Sequence, residues 1–229
     1  MPHLRREGTV FILDLGEPGQ VDTDNRFTPE TIEQTNSLLD EVDASTGPAA
    51  LVTTSSGKIY SNGFLPEKFF EPGVEEYLLS AQQLFARILT SELPTIAAIP
   101  GHFFAGGAMF AMAHDFRFMR EDRGFFCLPE IDLGVAIPGG MSDLLQSRLP
   151  AQTFHKAVVA GHRFGGPEAQ SSGIVDQALP FDAILPTALA LGEKLASKRG
   201  PLMASVKKYM YRSVLESLST VVFPHALRK

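Results

Sequence analysis

The chain has 229 residues, 44% of them hydrophobic and 20% charged, with 20 Lys and Arg against 26 Asp and Glu for a net charge of −6. This composition fits one globular domain, or one with a small appendage, and excludes disordered and fibrous classes. The acidic balance argues against general nucleic-acid binding, and the single cysteine, Cys127, excludes an internal disulfide and a cysteine-rich zinc site.

The first seven residues carry no apolar signal region and lead into residues 8–15 (GTVFILDL), whose β-branched and aromatic content predicts a strand. Residues 17–26 read as turn, with Pro18, Gly19, Asp22, Asp24 and Asn25. Thr28 then caps a helix, Pro29 suits its first turn, and Ile32, Thr35, Leu38, Leu39 and Val42 recur at helical spacing until Gly47-Pro48 stops it. Residues 49–54 (AALVTT) predict a short buried strand, and residues 55–58 a turn. A second helix is expected over residues 75–89, a third strand over 95–99, a turn at Pro100-Gly101-His102 and a buried helix over 105–114. The uncharged stretch 95–113 is not a membrane span, because Pro100, Gly101, His102 and the pair Gly106-Gly107 interrupt it.

Residues 116–119 predict a fourth strand, and residues 125–130 a short extended run ending in a charge. Helices are expected over 141–148, 151–160, 166–172, 184–198 and 202–217, with an extended link at 174–179. Strands alternate with helices in the first half and helices dominate the second, which predicts an α/β fold with a parallel sheet. No internal sequence repeat is evident.

Two glycine turns each follow a short buried strand: Ser61-Asn62-Gly63-Phe64 and Phe104-Ala105-Gly106-Gly107-Ala108. Ligands of open α/β sheets bind beyond the carboxyl ends of the strands, and free N–H groups there attract a negative oxygen. On spacing alone these glycines either permit tight turns and close packing, or aim two N–H groups at one oxygen. Glu130 stands among Phe125, Phe126, Leu128 and Ile131. Buried, it would act as a base near neutral pH; exposed, it would be an ordinary loop carboxylate. Gly57-Lys58 is not a phosphate loop, Gly140-Met141-Ser142 is not a nucleophile elbow, and the six histidines lack metal-site spacing. His102 and His114 read as turn and cap residues, and Cys127 as a small core residue.

Taken in order, four segments resemble the crotonase superfamily of acyl-CoA enzymes. They are residues 58–64 (KIYSNGF), 100–109 (PGHFFAGGAM), 129–140 (PEIDLGVAIPGG) and 169–178 (AQSSGIVDQA). The resemblance implies a crotonase-like spiral of ββα units over residues 1–190 and a helical C-terminal trimerisation region over 191–229. It also implies backbone oxyanion donors at Phe64 and Gly106, and substrate-binding positions at Ser61, Asn62, Gly63, Gly107, Met109, Pro138 and Gly139. Hydratases of the superfamily carry two glutamates; here Met109 occupies one of those positions and only Glu130 remains. That pattern resembles the short plant-type enoyl-CoA delta isomerases, which move a proton within one substrate.

The implied partner is an acyl-CoA thioester, with coenzyme A part of the substrate, no metal or redox cofactor, and a homotrimer or dimer of trimers. Lys207 or Lys208 is expected near the CoA phosphates. The implied setting is β-oxidation of unsaturated fatty acids in peroxisomes, although Leu227-Arg228-Lys229 is not a Ser-Lys-Leu address. One departure stands out: Leu65-Pro66 follows Phe64 where the family often has an Asp shortly after the glycine, so the loop over residues 67–76 and the acyl pocket differ from the usual form. Hydration, thioester hydrolysis and a catalytically silent acyl-CoA-binding subunit are the rival readings.

Overall fold

Runs of β-branched and aromatic residues form two parallel sheets in the computed structural model, which describes residues 1–223. The larger sheet holds six strands in the order β1-β2-β3-β5-β7-β9: β1 (His3–Glu7), β2 (Val10–Asp14), β3 (Ala50–Thr54), β5 (Thr95–Ile99), β7 (Phe116–Arg120) and β9 (Gln177–Leu179). All neighbours are parallel except β1 and β2, a hairpin. The smaller sheet holds β4 (Ile59–Ser61), β6 (His102–Phe104) and β8 (Phe126–Cys127), all parallel.

The chain builds these sheets by repeating one path. Each turn gives a strand to the large sheet, a strand to the small sheet and then a helix: β3-β4-α2 (Val74–Leu89), β5-β6-α3 (Gly106–Met112) and β7-β8-α4 (Glu130–Leu133). Successive turns stack in parallel register, with Ile59 beside His102 and Phe103 beside Phe126. The loops that leave β4, β6 and β8 therefore lie side by side. The repeat is one of backbone path and not of residues, which is why the sequence shows none.

Both faces of the large sheet are covered, so strands β2, β3 and β5 are buried along their whole length and are mostly apolar. Phe11, Leu13, Leu51, Ala97, Ile99 and Met119 face the main core with α1 (Pro29–Ala44) and α2. The alternate set, Val10, Ile12, Val52, Ile96, Ala98 and Phe118, packs with Ile184 and Ala188 of α8 (Phe181–Leu195). The expected division at residue 190 falls inside α8, a helix docked on the sheet. Helix α1 opens as the sequence predicts: Thr28 Oγ1 accepts from the Thr31 N–H, and Thr31 Oγ1 from the Thr28 N–H.

Helices α5 (Gly139–Arg148), α6 (Ala151–Ala160) and α7 (Gly166–Ser171) follow the spiral. The expected last helix is two, α9 (Pro201–Met210) and α10 (Arg212–Leu218), separated at Tyr211. The end of α10 folds back onto its own chain, where Gln82 Nε2 donates to the carbonyls of Leu218 and Thr220. Among the described residues, no helix is long and apolar enough to cross a membrane.

Candidate active site

The three loops that leave the small sheet meet at a cleft of about 600 Å³. Asn62, Phe64, Ala105 and Glu130 line its wall, Pro66, Phe69, Phe70, Leu133 and Val135 give it an apolar side, and Arg26, Lys58 and Arg163 add basic groups.

The first loop is held almost completely by hydrogen bonds. The Asn62 N–H donates to the Asp24 carbonyl (2.9 Å), the Gly63 N–H to Ser61 Oγ (3.1 Å) and the Leu65 N–H to the Tyr77 hydroxyl (3.2 Å). Among the described residues the Phe64 N–H has no acceptor. Its direction is set from the other side of the same peptide. The Gly63 carbonyl accepts from the Phe27 N–H (2.8 Å), and in a trans peptide the N–H points the opposite way.

The second loop repeats the device. The Ala105 carbonyl accepts from the Met109 N–H (3.1 Å) and so points into α3, which turns the Gly106 N–H outward at the helix start. Ala105 sits at φ +50°, ψ −125°, a conformation that L-residues seldom adopt. Backbone strain of this kind concentrates at functional sites.

The two loops touch through their glycines. A Cβ on Gly63, at φ +74°, would lie 2.5 Å from the Gly106 nitrogen, and one on Gly106 would lie 2.6 Å from the Phe64 ring. A Cβ on Gly107 would lie 2.3 Å from the Ser61 carbonyl oxygen. Close packing of these glycines brings the two loops, and with them the Phe64 and Gly106 backbones, side by side.

Glu130 comes from the third loop, as the first residue of α4. It is 7% exposed, and its Oε2 is buried without a hydrogen-bond partner among the described residues. Burial raises its pKa to about 7, partly offset by its own backbone N–H. An uncommitted carboxylate with that pKa can take up and return a proton at neutral pH.

Other expected site residues lie elsewhere. Ser61 is buried and donates to the Asn25 carbonyl (2.7 Å), so it braces the loop from behind. Met109 is 2% exposed in the main core and does not line the cleft. Pro138 and Gly139 open α5, where the Gly139 N–H donates to the Val222 carbonyl (2.9 Å), and neither lines the cleft.

The expectation for the two lysines is corrected. Lys207 is 7% exposed, and its Nζ donates to Asp115 Oδ2 (2.7 Å) and the Leu93 carbonyl (2.9 Å), so its charge is spent inside the fold. Lys208 faces a separate groove with Arg87 and Arg199. The cationic side chains that line the cleft are Arg26, Lys58 and Arg163, with Arg120 and Arg123 beside Lys58 in the adjoining groove. His102 lines the cleft, and burial together with Arg123, Arg163 and Lys58 lowers its pKa. His114 is fully buried with its pKa pushed down to about 3, and its Nε2 lies 2.9 Å from Thr53 Oγ1, which also meets the Tyr60 hydroxyl (2.7 Å). The segment Asp24–Phe27, which sequence reading leaves as a turn, braces the first loop. Its contacts are 34 to 38 residues away along the chain, and no local pattern signals them.

Comparison with known proteins places the chain in a family. Residues 5–223 match the enoyl-CoA hydratase/isomerase family. The peroxisomal enoyl-CoA delta isomerase 2 of Arabidopsis thaliana is 33% identical over 96% of this chain and 97% of its own length. Enoyl-CoA delta isomerase 3 of the same plant is 34% identical over 91% of both chains. A Mycobacterium tuberculosis protein, named an enoyl-CoA isomerase in one solved structure and a probable enoyl-CoA hydratase in another, has the same fold: the first, without ligand, gives a TM-score of 0.86 at 21% identity, over 95% of this chain and 93% of that one. The chain belongs to the enoyl-CoA hydratase/isomerase family, with the crotonase fold.

Proposed function

We propose that this protein is an enoyl-CoA delta isomerase that converts 3-enoyl-CoA to 2-trans-enoyl-CoA. The observation that carries the reading is the lone buried carboxylate, Glu130, in a cleft lined by Phe64, whose N–H has no acceptor among the described residues. Ionised Glu130 removes a proton from C2 of the substrate. The electron pair of the broken C2–H bond forms a C1=C2 double bond and the carbonyl π pair moves onto the thioester oxygen, giving a dienolate conjugated with the C3=C4 bond. The N–H groups of Phe64 and Gly106 hold that oxygen, each contributing about 3 kcal/mol. Protonated Glu130 then delivers the same proton to C4, and the double bond forms between C2 and C3. Atoms and charge balance without a cofactor.

Net hydration needs a second group to position water, and Met109 is an apolar residue turned into the core where a second glutamate would be needed. The apolar side of the cleft suits the acyl chain, and Lys58, Arg120, Arg123 and Arg163 are placed to meet the CoA phosphates. The names of the Arabidopsis relatives support the isomerase assignment, and two relatives named peroxisomal support that compartment. Residues 227–229, where a C-terminal address would be read, lie outside the described residues. β-Oxidation of unsaturated fatty acids is the setting in which this reaction is needed. We assign self-association to the exposed apolar side of α9 (Leu202, Val206, Tyr209, Met210), with a trimer expected by light scattering.

The test is 3-hexenoyl-CoA isomerisation measured beside 2-hexenoyl-CoA hydration on the same protein. Isomerisation without hydration, lost in Glu130→Gln with acyl-CoA binding intact, is the expected result. Hydration or hydrolysis alone, or binding without turnover, would replace the isomerase reading by the corresponding rival.

A further inference from the structure

Arg26 lies on the segment before α1 and lines the cleft. Its Nη1 donates to the Phe64 carbonyl (2.8 Å) and reaches the Asn62 carbonyl at 3.4 Å. Between those two carbonyls stands that of Gly63, which accepts from the Phe27 N–H (2.8 Å). Three successive carbonyls of the first donor loop are therefore held by two adjacent residues, Arg26 and Phe27. The guanidinium is itself fixed in place. Its Nε donates to Asp24 Oδ2 (3.1 Å), and the Arg26 carbonyl accepts from Thr31 Oγ1 (2.8 Å), a hydroxyl of the α1 capping box.

We infer that Arg26 is a positioning residue for the Phe64 oxyanion donor. Mechanical and electrostatic arguments support the role. The Phe64 ring is buried against Phe27, Phe69, Tyr77 and Phe85, and Arg26 is the side chain that holds the carbonyl on the other side of the same residue. A guanidinium presents several donors in a rigid plane and can bridge two carbonyls, which an ammonium on a flexible stem does poorly. Hydrogen bonds also polarise one another along a chain, so a cation on the Phe64 carbonyl strengthens the dipoles of the loop. Its positive charge stands at the wall where negative charge develops, and at 27% side-chain exposure it is only partly screened.

This inference rests on the isomerase reading for its kinetic test but not for its spectroscopic one. The experiment uses Arg26→Gln and Arg26→Lys in the full chain, with 3-hexenoyl-CoA as substrate. Because the donor acts on charge that appears in the transition state, kcat is expected to fall with KM nearly unchanged. A complete oxyanion donor is worth 10²–10³ in kcat, and a donor that is present but loosely held is expected to lose about 10–100-fold. Arg26→Lys is expected to recover little of the loss, and added guanidinium ion to restore part of it in Arg26→Gln.

In parallel, the thioester carbonyl stretch of bound 2-hexenoyl-CoA is read by difference infrared spectroscopy. It is expected to sit closer to its value in water in the variants than in the wild type. Variants with a lower melting temperature but wild-type kcat and carbonyl band would overturn the inference and leave Arg26 a structural brace. Wild-type protein with no isomerase activity would overturn the isomerase reading instead, and the infrared band would still decide the role of Arg26.

Discussion

The pH dependence of Glu130 tests the central claim, because stability and activity must move in opposite directions around one pKa. An exposed glutamate titrates near 4.5, whereas buried Glu130 titrates at about 7. Between those values the native state binds a proton that the unfolded state has released, so stability falls as pH rises through this window. At about 1.4 kcal/mol per pH unit, holding Glu130 ionised above pH 8 costs about 3 kcal/mol. Glu130→Gln keeps the shape and removes the charge. At pH 8.5 the variant should be more stable than wild type by about 3 kcal/mol, and at pH 5 by less than about 1 kcal/mol. For a chain of this size the first figure is a melting-temperature gap of about 6–12 °C.

Catalysis needs the form that folding disfavours. Wild-type kcat/KM should rise about tenfold per pH unit up to about pH 7 and level off above it, while Glu130→Gln stays inactive throughout. Thermal unfolding of both proteins from pH 5 to 8.5, paired with the isomerase assay, measures each part. A melting-temperature gap that does not change with pH would show that Glu130 is solvated in the protein, and the argument from its burial would fall.

Three further outcomes follow from the same geometry. Gly63→Ala places a Cβ 2.5 Å from the Gly106 nitrogen at φ +74°, so the donors must separate; steady-state kinetics should show kcat reduced by at least about 100-fold. Ala105→Gly relieves strain of about 1–3 kcal/mol at φ +50° and adds about 0.5–1 kcal/mol of chain entropy, so urea unfolding should show a gain of about 1 kcal/mol. A loss of that size would mean that the Ala105 methyl group contributes more by packing than it costs in strain. Lys207→Met leaves Asp115 with its two bonds from Thr95 but without its counter-ion, and should cost about 3 kcal/mol in the same assay while leaving the Kd for acyl-CoA unchanged; Lys58→Ala and Arg123→Ala should do the reverse.

How far the sequence discloses this site depends on how local each signal is. Strands β2, β3 and β5 are legible because burial on both faces makes them mostly apolar runs, with only Asp14, Thr53, Thr54 and Thr95 polar. Strand β1 is not, since His3-Leu4-Arg5-Arg6-Glu7 lies at the sheet edge and is largely polar. Strands β6 and β8 have three and two residues, too few for any period to show, and α4, with four, reads as the end of an extended run. Lys207 and Lys208 are adjacent on one helix and look alike; what separates them is Asp115, 92 residues earlier.

The donor loops themselves occupy a middle ground, and their case explains why family resemblance helped where spacing did not. Glycine at positions 63, 106 and 107 is compatible with a tight turn anywhere in a protein. Its meaning here comes from contact between two loops that are 43 residues apart, Gly63 against Gly106, and from Phe27, 36 residues before the carbonyl it anchors. Spacing reports the permissiveness of each loop but not the partner that makes it necessary. A resemblance spread over four segments in order carries that missing pairing, because it refers to a fold in which the loops are already stacked. The same logic marks where resemblance stops. Glu130 and Phe64 line the cleft, whereas Lys207, offered together with Lys208 for the CoA phosphates, gives its charge to Asp115. A position fixed by the shared spiral is carried over with the fold, and a charge taken up by one buried partner is not.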